Sequence, residues 1–437
     1  MHATRDAAPV YSRHQSGTIS VDKMAAGILA VLIPVPSPIS VSLSIGGALS
    51  LAVIPVTFPT LWRSTRGRWL LIATLALVPV GWLVAQTSVL QDHDRTFSTA
   101  SFLYGAALPV GLLASLVGAY WCMRQLGLQR FLLLSSVGLL AAAFLTYNQT
   151  NPWKYGLALP ISMVVFLLIA RNRLLLGLVA TPLLVAVSIA SDYRSWIAVV
   201  GVATILGVFT GRSWKPLPIS RVVSLGLIAA AASTAIGWLI VQASVAGMLG
   251  DYLKQRTDSQ LATSSGNLIL GGRPEWGAAI GLFRESPLGI GIGVAPSYND
   301  YVLAIRNMPI STALQENSNV ATSFRAGVIN FHSWFLNLWA VYSVAGVLFS
   351  ILAIAFLIRA TLMAVTRISQ TNLRAAVALL ILGSIWDILF SPTLVAQLAI
   401  ALAAALHILG DPNADPIRTK DSQHERSTAH QRDHNRA

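Results

Sequence analysis

The chain has 437 residues, of which 54% are hydrophobic and only 11% are charged, and its mean hydropathy is +0.65. Soluble domains carry about a quarter charged residues, so this composition excludes an ordinary soluble protein. Apolar runs of about 17–25 residues, long enough to cross a bilayer, recur along the chain. We therefore predict an all-α polytopic membrane protein with about twelve transmembrane helices. The net charge is +13. Its basic residues flank the apolar runs, so they indicate membrane topology and not nucleic-acid binding.

The predicted spans, in chain order, are 23–37, 40–61, 69–87, 99–123, 131–147, 155–170, 174–190, 195–210, 221–242, 333–357, 375–390 and 393–409. With both termini in the cytoplasm, the short inner loops hold thirteen basic residues and the short outer loops hold three, Arg95, Lys154 and Arg194. Because cytoplasmic loops are enriched in Lys and Arg, this asymmetry predicts the orientation.

These boundaries divide the chain into five parts. Residues 1–22 form a cytoplasmic tail, 23–242 a nine-span region, 243–332 a large periplasmic loop, 333–409 a three-span region and 410–437 a second cytoplasmic tail. The C-terminal tail is polar and charged, so we expect it to be disordered. The large loop should contain short amphipathic helices, and we expect the chemistry of the protein to lie there.

Few histidines can serve as a base outside the membrane. Of the eight in the chain, only His93 and His332 face outwards in this topology. A general base that works near neutral pH is most often histidine, so His332, which precedes span ten, is a candidate. The alternative is an interfacial residue that anchors the helix end beside Trp334 and Trp339.

An arginine in the large loop is the first candidate for binding an anion. Arg273 precedes Pro274 and Glu275, a pattern typical of a helix start, and the apolar stripe after it predicts a short amphipathic helix over 274–285. A guanidinium at a helix N-terminus suits a phosphate. An ordinary pairing of Arg273 with Glu275 is the alternative.

Two further cations lie at outer helix ends, where positive charge is unusual. An anionic ligand would explain both Lys154 and Arg194, although an ion pair with Asp192 is an equal alternative for Arg194. The acidic and histidine run at 92–94 could bind a metal, but three adjacent residues converge poorly on one ion, which favours a solvated loop.

A glycine-rich bend follows the predicted amphipathic helix. Gly289, Gly291 and Gly293 superficially resemble a dinucleotide-binding fingerprint, but no strand of a βαβ unit precedes them. We expect these glycines to permit a tight turn or a close approach of the backbone.

Together these motifs resemble the O-antigen ligase and polymerase superfamily of bacterial envelope enzymes. The matching pieces are Gly272-Arg273-x-x-Trp276, Ser286-Pro-Leu-Gly-Ile-Gly-x-Gly293 and His332-Ser333, with weaker matches at Ser191-x-x-Arg194-Ser195 and at Thr150-Asn-Pro152 with Gly156. The plan of about a dozen spans with one large outer loop before the tenth is also similar. The family commonly carries two glycines in span ten, three residues apart, whereas this chain has Ser343 and Gly346, small residues that still permit close packing.

The resemblance implies a glycosyltransferase of the bacterial inner membrane, without cofactor or metal, that acts on a glycan carried by undecaprenyl diphosphate. It implies that His332 deprotonates the acceptor, while Arg273 and Arg194 stabilise the leaving diphosphate. We assign substrate binding to Lys154, Glu275, Trp276, Gly289, Gly291, Gly293 and Ser333. The expected partners are the lipid-linked glycan, membrane lipid, and a chain-length regulator and flippase of the same pathway, with no nucleic acid.

We expect a polymerase of repeat units in surface or exopolysaccharide biosynthesis. The main alternative is an O-antigen ligase that transfers the finished glycan to the lipid A core, or a related protein O-oligosaccharyltransferase. A flippase or transporter is a more distant alternative, since such proteins place several ionisable residues near the membrane midplane and Asp387 is the nearest case here. A metal-dependent transferase would use carboxylates in an early outer loop, where Asp92 and Asp94 lie.

Overall fold

The structure, a computed structural model, describes residues 20–38, 43–146, 151–170, 172–209, 219–263, 273–308, 318–391 and 395–410. Almost all of both predicted tails lies outside these residues, including the predicted disorder of the C-terminal tail. Thr150 and Gly272 of the sequence motifs also lie outside them.

The described chain is nearly all helical. Its first helices are α1 (Val21–Leu32), α2 (Ile45–Ser50), α3 (Ile54–Arg63), α4 (Thr65–Gln91), α5 (Thr99–Leu126), α6 (Leu128–Leu145), α7 (Ala158–Leu168), α8 (Thr181–Ala190), α9 (Arg194–Phe209) and α10 (Ile219–Val245). A 3-10 turn (Leu51–Val53) joins α2 to α3, and π-helical turns (Trp153–Leu157 and Leu175–Ala180) precede α7 and α8. Then follow α11 (Asp251–Thr263), α12 (Glu275–Glu285), α13 (Tyr298–Arg306), α14 (Asn319–Arg325), α15 (Trp334–Arg367), α16 (Thr371–Phe390) and α17 (Val395–Leu409).

Six helical stretches of the described chain are long and apolar enough to cross a membrane: Ile45–Arg63, Thr65–Gln91, Thr99–Leu126, Leu128–Leu145, Trp334–Arg367 and Thr371–Phe390. Shorter apolar stretches include Trp153–Leu168, Leu175–Ala190, Arg194–Val208 and Val395–Leu409. These helices agree with a helical multi-pass membrane protein. The count of twelve spans and the orientation stay predictions.

The last helix is buried among its neighbours. α17 is buried along nearly its whole length and packs against α5 and α15. Five of its alanines, at positions 399, 401, 403, 404 and 405, have no exposed surface. Small side chains let neighbouring helices approach closely, so this alanine-rich face explains how a helix can lie inside the bundle.

A break in α15 receives the glycine-rich bend of the large loop. Ser343 has φ 56° and ψ −139°, which interrupts the helix. The carbonyl oxygen of Ala340 accepts hydrogen bonds from the backbone N–H groups of Ile290 (2.9 Å) and Gly291 (3.1 Å). A Cβ on Gly346 would overlap the carbonyl of Leu338, so the second small position of this helix requires glycine. The break thus fixes the bend against the bundle.

The described chain also contains one pair of short strands, which the all-helical prediction did not include. β1 (Thr96–Phe97) lies between α4 and α5, and β2 (Val294–Ala295) follows the glycine-rich bend. They pair antiparallel, with Thr96 opposite Ala295 and Phe97 opposite Val294. The pair fastens the large loop to the α4–α5 connection, and we call this end of the molecule the loop end.

Candidate functional site

A cavity of about 460 Å³ lies at the loop end, among the ends of seven helices, and we call it the basic cavity. It is lined by Tyr104, Leu108, Leu139, Ala142, Ala143, Thr146, Lys154, Tyr155, Gly156, Ala158, Leu159, Pro160, Tyr193, Trp196, Arg273, His332, Trp334, Asp387, Ser391, Val395 and Gln397. Among the described residues of this lining, lysine, arginine, histidine and aspartate each occur once. They come from four distant parts of the chain, so the fold brings together what no local motif contains.

Lys154 lies on the π-helical turn before α7, and the side chain of Asn151 holds its backbone. The side-chain oxygen of Asn151 accepts a hydrogen bond from the Lys154 backbone N–H at 2.9 Å. The amide nitrogen of Asn151 donates to the carbonyl of Ser191 at 2.6 Å. Single π turns in proteins occur frequently at functional sites, where they redirect a side chain. Asn151 therefore couples the position of Lys154 to the end of α8.

Arg273 reaches the basic cavity from the start of α12. The helix predicted over 274–285 is present at Glu275–Glu285, with Pro274 at its N-cap. The N-terminus of a helix carries a partial positive charge, which adds to that of the guanidinium. Trp276 packs against Phe335 and Phe390, with ring centroids 6.4 Å and 5.9 Å apart, and so fastens α12 to α15 and α16.

His332 lies directly before α15 and points an unsatisfied nitrogen into a buried environment. Its backbone has φ 53°, a conformation that is uncommon for a residue other than glycine. Its Nδ1 atom is buried and has no hydrogen-bond partner in the described part of the chain. Burial, and then the charges of Arg273 and Lys154, lower the pKa of His332. The imidazole is therefore neutral at pH 7 and able to accept a proton.

Ser333 holds this backbone in place. Its hydroxyl donates to the carbonyl of Leu389 at 2.7 Å and accepts from the N–H of Leu336 at 3.4 Å as the N-cap of α15. The side chain is buried and does not line the basic cavity. Ser333, one of the residues predicted to bind substrate, thus holds the backbone next to His332.

Two other titratable groups lie close to the cations. Burial raises the pKa of Glu275, against the opposing charges of Arg273 and Lys154, and its Oε2 atom has no partner in the described segments. Burial, followed by the charge of Asp387, raises the pKa of Tyr193, so its phenol stays protonated and can donate a hydrogen bond. Glu275 does not line the cavity, whereas Tyr193 does.

From the sequence, Asp387 is a candidate only in connection with transport, and Gln397 and Tyr193 are not candidates. The amide of Gln397 donates to Asp387 Oδ2 at 2.8 Å across the α16–α17 connection. An acidic side chain near the end of an apolar run indicates a functional position, so Asp387 carried a usable signal. Gln397 and Tyr193 become neighbours of the site only through tertiary packing.

Arg194 lies outside the lining of the basic cavity. Its Nε atom is 3.2 Å from Asp192 Oδ1, and its Nη2 atom donates to Thr257 Oγ1 at 2.9 Å. The ion pair with Asp192, one of the two alternatives for this residue, is therefore present. These contacts fix the backbone on either side of Tyr193 and connect this segment to α11.

The glycine-rich bend packs closely against α4 and α5 at the edge of this region. Gly289, Gly291 and Gly293 all have positive φ, between 78° and 91°. A Cβ on Gly291 would overlap the backbone of Ala85, and one on Gly293 would lie 2.8 Å from Phe102 Cβ. The expectation of close backbone approach is confirmed at these positions.

Within the run at 92–94, Asp92 contacts the buried Arg95, whereas His93 and Asp94 are exposed. Asp92 accepts a hydrogen bond from the Ser297 hydroxyl at 2.9 Å and lies 3.5 Å from Arg95 Nε. In the described ranges no group of three or more His, Cys, Asp or Glu residues is arranged to hold a metal ion. The contacts with Ser297 and Arg95 therefore explain the position of the Asp92 side chain.

Comparisons with protein-family models, with curated proteins and with solved structures find no match to this chain. Its function therefore has to be inferred from the chemistry of the basic cavity.

Proposed function

We propose that the protein is a polymerase of undecaprenyl-diphosphate-linked oligosaccharide repeat units in surface or exopolysaccharide biosynthesis, acting at the periplasmic face of a bacterial inner membrane. One observation carries the proposal: two cations, Lys154 and Arg273, and a neutral histidine, His332, line one cavity at the ends of apolar helices. Such a cavity suits a ligand with an anionic head and a long hydrocarbon tail, because the tail can stay between the helices while the head meets the cations.

The cations would bind the diphosphate of the donor and stabilise the charge that develops as it leaves. Preorganised charged donors are worth about 10²–10³ in rate each when they face a developing negative charge. Lys154 and Arg273 would thus take the role that a metal ion has in other transferases. Arg194, which is engaged by Asp192 and Thr257, is better assigned to positioning Tyr193 than to contacting the diphosphate.

The transfer is a single displacement. The acceptor hydroxyl oxygen forms a bond to the anomeric carbon of the donor sugar, and its proton passes to the imidazole of His332. The bond from the anomeric carbon to the diphosphate oxygen breaks, and undecaprenyl diphosphate leaves with the electron pair. The anomeric carbon is inverted. His332 then returns its proton to solvent, which its lowered pKa favours.

The proposal is tested by deleting the gene and complementing it with wild type, His332→Ala or His93→Ala, then sizing the lipid-linked and surface glycans. His93→Ala is the matched control, because His93 is exposed and lies outside the basic cavity. We expect His332→Ala to leave single repeats on the lipid carrier with polymer lost, while His93→Ala restores normal polymer.

Other outcomes would point elsewhere. Long lipid-linked chains that never reach the lipid A core would identify a ligase that uses the same cavity. Normal polymer from a stably inserted His332→Ala protein would remove His332 from the mechanism. Unchanged glycans after deletion would contradict the proposed function as a whole.

A further inference from the structure

A second cavity, of about 500 Å³, adjoins the basic cavity at the loop end. The two share Tyr104, Leu108 and Trp334 in their linings. The second cavity lies between the first turns of α5, the first turns of α15, the glycine-rich bend and residues 327–330. A molecule seated in it would therefore lie against the same wall as one seated in the basic cavity.

The chemistry of the second cavity differs from that of the first. Among the described residues that line it, none is a lysine, arginine, aspartate, glutamate or histidine. Its polar groups are neutral hydroxyls and amides, supplied by Ser101, Tyr104, Asn330, Asn337 and Tyr342. Burying a charged group in such a lining is unfavourable because none of these neutral groups compensates the charge. We call this space the neutral cavity.

We propose that the neutral cavity binds the uncharged terminal sugar of the acceptor glycan, an inference that rests on the proposed polymerase function. Sugars present hydroxyls that pair with amides, and apolar ring faces that lie against aromatic side chains such as Tyr104 and Trp334. A side-chain amide has two N–H donors and an oxygen acceptor, so it can meet a hydroxyl in either sense. A uronic acid or phosphorylated sugar fits poorly, since its charge would have no partner.

The two amides are coupled to the base of the reaction. Asn330 Oδ1 accepts from the backbone N–H of His332 at 3.0 Å and from Asn337 Nδ2 at 3.4 Å. Asn337 Oδ1 accepts from the N–H of Phe331 at 2.7 Å. In the described part of the chain these contacts leave N–H donors of both amides for a ligand. A sugar held by Asn330 and Asn337 would therefore be positioned relative to His332 by the segment that carries the base.

Protection of single cysteines tests this inference without an assay of turnover. Cys122 is buried and is the one cysteine of the chain, so Cys122→Ala gives a background for labelling. Ser101→Cys places a thiol in the neutral cavity, and Thr146→Cys places one in the basic cavity. Each full-length protein, in phosphatidylcholine nanodiscs, is labelled with a maleimide in the presence of octyl β-glucoside, octyl β-glucuronide, octanol or farnesyl diphosphate.

We expect octyl glucoside to slow labelling at Ser101→Cys at least fivefold and to leave Thr146→Cys unchanged. Equal protection by the glucuronide would overturn the preference for an uncharged sugar. Equal protection by octanol would overturn recognition of a sugar, since the chain alone would suffice. Absence of protection by the glucoside would overturn the site itself.

Farnesyl diphosphate provides the separate test of the function on which the inference rests. It should protect Thr146→Cys and not Ser101→Cys, and its failure to do so would count against the diphosphate site while the sugar result stands. Adding Asn337→Asp to the Ser101→Cys protein keeps the oxygen that Phe331 N–H needs and introduces a charge. We expect this change to abolish glucoside protection, and retained protection would contradict the role of the amides.

Discussion

Arg95 and Asp300 form a buried bidentate ion pair that joins the α4–α5 connection to the large loop. The guanidinium donates from Nε to Oδ2 at 2.9 Å and from Nη2 to Oδ1 at 2.6 Å. It also donates to the hydroxyls of Ser88 at 2.9 Å and Ser286 at 2.7 Å. Asp300 is the N3 residue of a capping box with Ser297 at the start of α13. One arginine therefore connects α4, the glycine-rich bend and α13.

Removing one partner of this pair should destabilise the loop strongly. Asp300→Asn removes the bidentate carboxylate and leaves the buried Arg95 guanidinium with only the partly exposed Asp92, 3.5 Å away, as counter-charge; breaking a buried pair in this way typically costs about 3–5 kcal/mol. Arg325→Gln is the control, because Arg325 is exposed and contacts only Tyr301 in the described chain. Thermal unfolding of the purified proteins in detergent, with limited proteolysis of the loop, measures both. Equal stability of the two variants would show that the ion pair does not hold the loop.

The pKa of His332 predicts how activity depends on pH. Because only the neutral imidazole can accept a proton, activity should rise with pH through the lowered pKa of His332 and stay level at neutral pH. Lys154→Gln removes one of the two charges that lower this pKa, so the pKa rises and the acidic limb of the profile moves to higher pH. Lys154→Arg, which keeps the charge, should leave the limb in place.

Initial rates of polymer formation in membrane vesicles, measured between pH 4.5 and 8 as a practical range about the ordinary histidine pKa of about 6.5, would record this profile. Lys154→Gln should also reduce the maximal rate by about 10²–10³, as expected for loss of a charged donor to the leaving group. If the acidic limb of Lys154→Gln moves to lower pH or stays unchanged, the charge of Lys154 does not lower the pKa of the group that sets this limb.

The sequence predicts most helices closely, because apolar length is a local property. The span predicted at 99–123 is the helix Thr99–Leu126, and that predicted at 393–409 is Val395–Leu409. The sequence predicts that Lys154, Arg273 and His332 lie at one membrane face, but not that they line one cavity, since Arg194 is predicted at the same face and lies outside the lining. The break at Ser343 is not predicted, since serine is neither proline nor glycine. The neutral cavity is likewise a product of tertiary packing.

Replacing Ser343 with glycine should stabilise the folded protein. At φ 56° and ψ −139° a side chain is disfavoured, and a residue held in such a conformation costs about 1–3 kcal/mol. Its hydroxyl is buried with no partner in the described segments, so its removal sacrifices no hydrogen bond there. We expect Ser343→Gly to raise the free energy of unfolding by about 1 kcal/mol.

Two controls separate backbone strain from loss of the hydroxyl. Ser343→Ala removes the hydroxyl and retains the strain, so it should gain less than Ser343→Gly. Ser350→Gly, in a regular turn of the same helix where the hydroxyl donates to the Gly346 carbonyl at 2.8 Å, should lose about 1 kcal/mol. Thermal unfolding in one detergent ranks the three proteins, and a stabilised Ser350→Gly would contradict the argument.

Gly291 should tolerate no side chain, because it lies against the backbone of α4. It has φ 91°, and a Cβ there would overlap the backbone nitrogen and Cα of Ala85, neither of which can move without distorting the helix. We expect Gly291→Ala to release the bend from the Ala340 carbonyl, costing about 2–3 kcal/mol from overpacking and strained backbone together. Gly201→Ala is the matched control, since a Cβ at this position of α9 meets nothing within 4 Å.

The bend lines the neutral cavity and not the basic one. Once the bend is released, the Gly291→Ala protein should therefore lose glucoside protection of Ser101→Cys, while farnesyl diphosphate still protects Thr146→Cys. Loss of both protections together would mean that the bend supports the whole loop end and that the two cavities do not behave as separate sites.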